Sequence, residues 1–312
     1  MELYKISENK KLKIIKPEDF KIEREMQNIV QANVEQLFGD KFLSSEFTVG
    51  NYRLDTVAFD EELKSFVILE YKNMTKSSVI DQGYSYLNTL LNHKADFILL
   101  YNHFYGVNES ESYFDWSQIK VIFVAKGFTQ YQKDAVNNPV LPIELYEVNK
   151  YTNDYVIVNK IEKDNLGQTA HTHVAAKPRS VQSVKDVSSI ALYTEEDHLS
   201  NGSEEIRRLY QAFKDAILSW DSTIEVKPVK LYIGFRIHKH NFIDIQIQKK
   251  QLKIWINCPE GELDDSLGLA RNVKHIGHWG NGDYELVVKD DTNLEYILSL
   301  AKKAWRDKEK LG

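Results

Sequence analysis

The hydrophobic residues of this chain are spaced at two different periods. Between residues 18 and 39 they recur every three to four positions, which predicts a helix that ends at Gly39. Apolar and alternating stretches then predict three strands, at residues 46–50, 52–59 and 66–72. The last two strands are joined by a polar connection of hairpin length, and residues 77–93 predict a second helix.

After the second helix the pattern predicts more strands, and then the amino-acid composition changes. Further strands are expected at residues 97–101, 120–125, 143–148 and 155–158. From about residue 161 to 199 the chain is rich in small polar residues and poor in aromatic ones, as linkers are. We therefore expect a first domain at residues 1–160, a linker at 161–199 and a second domain at 200–312.

The second domain opens with a helical pattern for which Ser203 is the expected N-cap. Strands are predicted at residues 230–237, 242–247 and 252–256. A glycine-rich loop, one more strand and a helix from about Leu294 complete the chain. The whole pattern predicts an α/β (α+β) protein, with a mixed sheet flanked by helices and a second, smaller α+β domain.

Composition and charge limit the class of protein. Hydrophobic residues make up 42% and charged residues 28%, which is ordinary for a globular chain. No apolar run reaches the roughly 20 residues that a membrane span needs, and the first residues lack the apolar core of a signal peptide. The single cysteine, Cys258, cannot form an internal disulfide. We therefore expect a cytoplasmic protein. Because the net charge is −6, a polyanionic partner would have to be held by local basic patches or by metal ions.

The stretch SFVILEYKN, residues 65–73, ends a strongly apolar strand in charge. Residues two apart on a strand share a face, so Glu70 and Lys72 project to the same side. If the hairpin pairs Asp55 near Glu70, two carboxylates and one ammonium group share a pocket. Paired carboxylates suit Mg²⁺, and a lysine beside the metal can orient a water or stabilise charge on a phosphate.

These residues resemble a known family. Asp55, a hairpin and then Glu70-Tyr71-Lys72 resemble the D-(spacer)-E-x-K core of the PD-(D/E)xK nuclease superfamily, which has the restriction-endonuclease-like fold. The resemblance covers about residues 18–125, and Leu54 stands where the name-giving proline would be. The C-terminal stretch GHWGNGDYE, residues 277–285, resembles an uncharacterised α+β domain family.

The resemblance implies an activity and its partners. It implies a metal-dependent phosphodiesterase that uses Mg²⁺, for which Mn²⁺ can substitute. DNA is the favoured substrate, with an endonuclease role in restriction or defence, and a homodimer is left open.

The resemblance also implies further site residues. Superfamily members often use a glutamate from the first helix, and Glu25 borders the apolar stripe there, with Glu23 and Glu35 as rivals. Gln82 and Tyr86 match the QxxxY motif of the RecB-like branch, and their spacing places them on one helical face. The expected catalytic residues are Asp55, Glu70, Lys72, Glu25, Gln82 and Tyr86. The expected metal ligands are Asp55, Glu70 and Glu25.

A basic segment of the second domain predicts a contact with nucleic acid. Its basic residues between positions 227 and 253 surround one acid, Asp244, and alternate with aromatic residues. A basic sheet face with aromatics could hold a phosphate backbone and stack bases. The candidates are Lys230, Arg236, Lys239, Lys249, Lys250 and Lys253. The interleaved aromatics are Tyr232, Phe235, Phe242 and Trp255. The alternative is a half-buried sheet whose lysines only face solvent.

Two hypotheses about function stay open. The first is a metal-dependent nuclease. The second is a catalytically silent nuclease-like module that binds nucleic acid or protein, since an E-x-K pair also occurs as an exposed strand-edge ion pair. The two differ in whether Asp55, Glu70 and Lys72 share one pocket. A P-loop NTPase is excluded because the chain lacks a G-x-x-x-x-G-K-[S/T] loop.

Overall fold

The chain divides into two compact units, Met1–Ile190 and Ala191–Gly312. The structure is a computed structural model and describes residues 2–72, 79–137, 141–163, 193–275 and 280–311. Within these residues no helix has the length and apolar character that crossing a membrane requires.

The first unit is built on a mixed sheet of seven strands within the described residues. Its helices are α1 (Glu23–Gln31), α2 (Val34–Phe38), α3 (Val79–Asn92), α4 (Lys94–Tyr105) and α5 (Gln130–Val136). Its strands are β1 (Leu3–Ile6), β2 (Leu12–Ile15), β3 (Pro17–Glu18), β4 (Lys41–Val49), β5 (Tyr52–Asp60), β6 (Ser65–Lys72), β7 (Lys120–Ala125), β8 (Ile143–Tyr151) and β9 (Tyr155–Lys160). The sheet order is β3-β8-β7-β6-β5-β4, with β9 also on β8, while β1 and β2 form a separate hairpin. Strands β4, β5 and β6 are antiparallel, and β6, β7 and β8 are parallel.

Helices cover both faces of this sheet. On one face α1 and α2 pack against Val67, Leu69 and Tyr71 of β6. On the other face α3 and α4 pack against Phe66 and Ile68 of the same strand. A strand that is buried on both faces has to be apolar at successive positions, which is the pattern of β6. The polar end of β6 is therefore a departure from what its surroundings favour.

The predicted first helix is two helices. The chain leaves helical geometry between α1 and α2, yet the buried stripe continues across the break through Met26, Val30, Val34 and Phe38. Packing on the sheet thus decides which residues face inward even where the backbone helix is interrupted. The predicted end of this segment is confirmed, because Gly39 has a left-handed φ of 76° and its N–H closes α2.

The strand predicted at residues 97–101 is wrong, because these residues lie within α4. Phe97 and Tyr101, four residues apart, are the buried positions, whereas Leu99 between them is 66% exposed. That spacing is helical, and Gly106 ends the helix with a left-handed φ of 66°. A short apolar run fits either a buried strand or one helix face, and here the neighbouring polar residues belong to the same helix.

The second unit is a six-stranded antiparallel sheet with helices packed on one face, among the described residues. Its helices are α6 (Glu195–Leu199), α7 (Glu204–Leu218) and α8 (Leu294–Glu309). Its strands are β10 (Glu225–Pro228), β11 (Ile233–Ile237), β12 (His240–Gln248), β13 (Gln251–Ile256), β14 (Arg271–Asn272) and β15 (Tyr284–Val288), in the order β10-β11-β12-β13-β15-β14. Ser203 is the N-cap of α7, as predicted, and its hydroxyl accepts the Ile206 N–H.

The predicted fold class is confirmed: a mixed sheet flanked by helices is followed by a second α+β unit. The predicted linker falls mostly on residues 164–192, which lie outside the described residues. Its described end, residues 193–199, contains α6 with a Thr194 capping box. The domain boundaries themselves stay a prediction.

Helix α3 lies unusually close to the sheet at Gly83. A Cβ placed on Gly83 would come within 2.4 Å of Cδ1 of Ile143 on β8 and 3.4 Å of the Phe123 ring. A larger residue at position 83 would force the Ile143 side chain or the helix to shift. This contact sets the distance between α3 and the polar end of β6.

We predict that Gly83→Ala destabilises the first unit by about 1–2 kcal/mol, because overpacking a buried contact outweighs the helix propensity that alanine gains. Ile143→Val removes Cδ1, the atom nearest to the added methyl group. In that background the same Gly83 change should cost far less, although Ile143→Val alone costs about 1 kcal/mol. Urea unfolding of the four proteins measures the coupling. A Gly83→Ala cost that is identical in both backgrounds would rule out this contact as the cause.

Candidate active site

Strands β5 and β6 separate at the polar end of β6. Their regular pairing stops at Thr56 and Leu69. Beyond that point Oδ2 of Asp55 accepts a hydrogen bond from the backbone N–H of Tyr71 at 3.0 Å. A side-chain acceptor replaces the backbone acceptor that continued pairing would supply. Asp55 is thereby fixed beside Glu70, the residue that precedes Tyr71 on β6.

The Glu70 carboxylate is buried, with 5% of the residue exposed, and three side chains donate hydrogen bonds to it. Lys72 Nζ and Gln82 Nε2 each lie 2.7 Å from Oε1, and the Tyr86 hydroxyl lies 2.9 Å from Oε2. Gln82 Nε2 also lies 2.7 Å from the Tyr86 hydroxyl oxygen. The structure therefore brings four of the expected site residues into one network, and Asp55 borders it.

The electrostatic environment favours protonation of Asp55. Burial, followed by the charge of Glu70, raises the pKa of Asp55 from 3.8 to about 6. The hydrogen bond from Tyr71 and the charge of Lys72 lower this pKa but do not cancel the rise. Glu23 raises it further.

The structure does not bring Glu25 close to Asp55 and Glu70. Its two carboxylate oxygens lie 2.8 Å from Lys150 Nζ and 2.8 Å from the backbone N–H of Lys21, and Lys150 lowers the pKa of Glu25. The glutamate of α1 whose charge acts on Asp55 is Glu23, one of the two rivals. On a helix, a shift of two residues turns the side chain by more than half a turn, and sequence pattern alone does not resolve that choice.

The alternation of β5 is interrupted next to the site. Strict alternation predicts Leu54 on the face opposite to Val57 and Phe59, but all three pack into the same core cluster. Glu46, whose φ is 55°, falls between the paired positions Ser45–Thr56 and Phe47–Leu54 of β4 and β5, which places it opposite Asp55. This left-handed conformation costs a residue with a Cβ about 1–2 kcal/mol. Such irregular positions re-aim side chains beside functional sites, and the sequence carries no signal for this one.

The expected base-stacking aromatics of the second unit are wrong. Tyr232, Phe235, Phe242 and Trp255 are all buried, at 4% exposure or less. Phe235 and Phe242 belong to the core under α7 and α8, and a Cβ added at Gly280 would lie 2.5 Å from the Trp255 ring. Phe235 and Phe242 lie beneath the helices and Trp255 lies against Gly280, so no base can reach these rings.

The six basic candidates of this unit do not form one face. Lys239 lies in the turn before β12, and Lys249 and Lys250 lie in the turn after it. Because β12 has nine residues, these turns are about 30 Å apart. Lys230 is exposed in the connection from β10 to β11, at the same end of the sheet as the Lys249–Lys250 turn.

The remaining two basic candidates are bound within the unit. Lys253 pairs with the buried Glu285 at 3.3 Å. Arg236 donates to the backbone oxygen of Lys239. Exposed charge that could meet a phosphate backbone is therefore concentrated on Lys230, Lys249 and Lys250.

The described part of the glycine-rich loop is a structural turn. The backbone N–H of Asn281 donates to the buried Asp244 at 2.7 Å, and its side chain donates to the Tyr232 hydroxyl at 2.8 Å. The sequence of this loop also contains a His-x-x-His pair, of which His275 is exposed and His278 lies outside the described residues. The turn needs glycine at position 282, because a Cβ there would lie 2.2 Å from the Ile256 carbonyl oxygen.

Among the described residues, no three His, Cys, Asp or Glu side chains converge as a complete metal site. Asp55 and Glu70 supply two oxygen-bearing groups side by side. Two carboxylates are a sufficient protein contribution for Mg²⁺, which fills its other positions with water and substrate oxygens.

One known protein is similar to this chain over almost its whole length. An uncharacterized protein of Haemophilus influenzae is 46% identical over 301 residues, which are 96% of this chain and 98% of that protein. Residues 195–308 match the family described as a domain of unknown function, DUF5655. This match agrees with the expected uncharacterised C-terminal domain family. Neither description states an activity.

The solved structures that resemble this chain match less than half of its length. A repair endonuclease from Pyrococcus abyssi is 21% identical over 42% of this chain and 49% of that chain, with a TM-score of 0.24. EndoMS in its apo form is 21% identical over 44% and 50%, with a TM-score of 0.28. SfsA of Pyrococcus furiosus in complex with Ca²⁺ is 14% identical over 48% and 75%, with a TM-score of 0.24. The chain spans about half the length of the two endonucleases, and scores this low carry no argument about activity.

We predict that Asp55→Asn stabilises the metal-free protein at neutral pH. The folded protein raises the pKa of Asp55 from 3.8 to about 6, so the ionised carboxylate opposes folding above that pH. After allowance for solvent screening at a partly exposed group, the gain should be about 1–2 kcal/mol above pH 6. It should shrink as the pH falls from 6 and vanish below about 4. Urea unfolding in EDTA across this range measures it.

Glu144→Gln is the control for this pH series, because its effect on the free energy of unfolding should have the opposite sign. Burial alone would raise the pKa of Glu144, but the charges of Lys120 and Lys160 bring it down to about 2. This variant should therefore lose stability above pH 4.5 and approach the parent near pH 2. A stability gain of Asp55→Asn that is the same at pH 4 and pH 8 would contradict the electrostatic account of Asp55.

Proposed function

The chain belongs to the family of the uncharacterized Haemophilus influenzae protein, and from its site we propose that it is a metal-dependent nuclease that hydrolyses phosphodiester bonds. The observation that carries this proposal is the buried carboxylate of Glu70 beside the desolvated carboxylate of Asp55. Burying one acid beside a second, half-buried one at a strand end is costly and is most readily accounted for by a cation and a reaction at that place.

The residues present fit a divalent cation. The raised pKa of Asp55 means that the folded site disfavours its own negative charge, and a cation between the two carboxylates would remove that penalty. We assign Asp55 and Glu70 as the protein ligands, with Glu23 as the nearby acid of α1. A bound Mg²⁺ or Mn²⁺ would polarise the phosphodiester and lower the pKa of a water.

Lys72 has the position of the cationic group that acts on the substrate. Its Nζ lies 2.7 Å from Glu70, and its side chain is 22% exposed, so the ammonium group borders solvent at the pocket. From there it can orient an attacking water or stabilise negative charge that builds on the phosphate. Gln82 and Tyr86 touch both oxygens of Glu70 and hold the orientation of that carboxylate.

The finer parts of the proposal are the substrate and the biological role. We propose DNA as the substrate and an endonuclease of restriction or defence type, as the resemblance to the PD-(D/E)xK superfamily implies. Lys230, Lys249 and Lys250 are the residues of the second unit that we assign to contact with nucleic acid, because their charge is exposed at one end of its sheet. Cutting both strands of a duplex would take two active sites, which a homodimer would supply.

A second hypothesis rests on the same network. Protein donors already engage both oxygens of Glu70, and a buried ion pair of this kind can serve folding alone. On this hypothesis the chain is a silent nuclease-like module that binds nucleic acid or protein. A cleavage assay separates the two.

We predict that Lys72→Ala lowers cleavage of plasmid DNA at least about 100-fold in Mg²⁺ or Mn²⁺, because it removes a cation from the reacting phosphate. Lys72→Gln keeps a donor for Glu70 without the charge, and it should fold like the parent yet remain inactive. Lys133→Ala, which breaks the 2.8 Å ion pair with Glu147, is the matched control and should cut normally.

Nicking and linearisation are followed on gels beside an EDTA control, and thermal midpoints report folding. If Lys72→Gln cuts as fast as the parent, the proposed role of the lysine charge is wrong. If the parent cuts no single-stranded, linear or plasmid substrate with either metal, the binding-module hypothesis replaces the nuclease.

A further inference from the structure

Two arginines meet at one carboxylate on the α1 side of the first unit. Arg24 Nη1 lies 3.1 Å from Glu46 Oε1, and Arg53 pairs with the other oxygen of the same carboxylate. Arg24 comes from α1 and Arg53 from β5, so two separate elements direct like charges to one point. Bringing two guanidinium groups together is unfavourable unless an anion lies between them.

This cluster adjoins the proposed active site. Arg24 follows Glu23, whose charge acts on Asp55, and Arg53 precedes Asp55 by two residues, about 7 Å along the strand. Glu46 lies opposite Asp55 in the β4–β5 register and has the left-handed φ of 55°. The strained backbone at Glu46 therefore sets the carboxylate between the two arginines at the edge of the site.

The two arginines have more N–H donors than Glu46 can accept from. Their side chains are 60% and 64% exposed, whereas that of Glu46 is 24% exposed. A guanidinium group has five N–H donors, and Glu46 is the acceptor that both reach among the described residues. Exposed Arg–Glu pairs are weak, so a second oxyanion can join or displace the carboxylate at little cost. Arginine forks match phosphate oxygens as well as they match carboxylates.

We propose that Arg24 and Arg53 form a phosphate-binding clamp for a nucleic-acid strand, adjacent to the phosphate that is cut, and that the Glu46 carboxylate occupies the clamp until the strand displaces it. The proposal rests on the proposed function for its choice of ligand. The clamp contacts backbone phosphate and no base, so it contributes affinity and register without sequence preference.

The test uses the full chain and a fluorescein-labelled 20-base-pair DNA duplex in EDTA, where no cleavage occurs. Arg24→Gln/Arg53→Gln should weaken binding at least about tenfold and reduce the slope of log affinity against log salt by up to about 1.8, or about 0.9 for each lost contact. Glu46→Gln keeps the size of the side chain but removes the competing charge, and it should tighten binding about threefold. Arg208→Gln/Arg306→Gln removes two exposed arginines of the second unit and should leave both quantities unchanged.

Unfolding midpoints within error of the parent show that the clamp variants are folded, as expected for exposed side chains. An unchanged affinity and salt slope in Arg24→Gln/Arg53→Gln would overturn the clamp, as would weaker binding by Glu46→Gln.

Cleavage with Mg²⁺ is measured separately, and there the double variant should raise KM about tenfold with a smaller change in kcat. A parent that binds through the clamp but never cleaves would overturn the nuclease and leave the clamp standing. A parent that cleaves while the double variant matches it in KM and affinity would overturn the clamp alone.

Discussion

The structure of the first unit depends on one constraint, the burial of the Glu70 carboxylate at the end of an otherwise apolar strand. Without partners, a buried charge of this kind would cost several kcal/mol. Three donors offset that cost, and two of them, Gln82 and Tyr86, come from α3. Helix α3 must therefore lie close to β6, and Gly83 allows the close approach to β8. The separation of β5 from β6 then leaves room for Asp55 beside the same carboxylate.

The sequence was enough to predict which side chains meet at Glu70 but not which glutamate of α1 lies near them. Strand spacing places Glu70 and Lys72 on one face and helix spacing does the same for Gln82 and Tyr86, whereas the resemblance to the PD-(D/E)xK superfamily is what named the helical pair as site residues. The structure brings these four together, while their catalytic roles stay predictions. The choice between the glutamates of α1 depends on how that helix is rotated on the sheet, and the ion pair with Lys150 that decides it joins residues 125 positions apart.

What the sequence could not predict is set by contacts between distant segments. The apolar run at residues 97–101 forms a helix because the sheet already has β7 beside β6 and only one side of the run is buried. Glu46 has a left-handed backbone and pairs with arginines from two other elements, and neither feature is local to β4. In the second unit the aromatic rings are buried, and the length of β12 separates Lys239 from Lys250. A basic and aromatic composition therefore did not amount to a binding face.

The account as a whole requires that Asp55 and Glu70 form a cation site. Titration of the full chain with Mn²⁺ at pH 7.5, followed by electron paramagnetic resonance, measures this directly and does not depend on any substrate. The parent should bind one Mn²⁺ per chain, competed by Mg²⁺, and Asp55→Asn and Glu70→Gln should each weaken it at least tenfold. Lys133→Ala should bind as the parent does. Equal Mn²⁺ affinity in the parent and in both carboxylate variants, or no binding by the folded parent, would contradict the account.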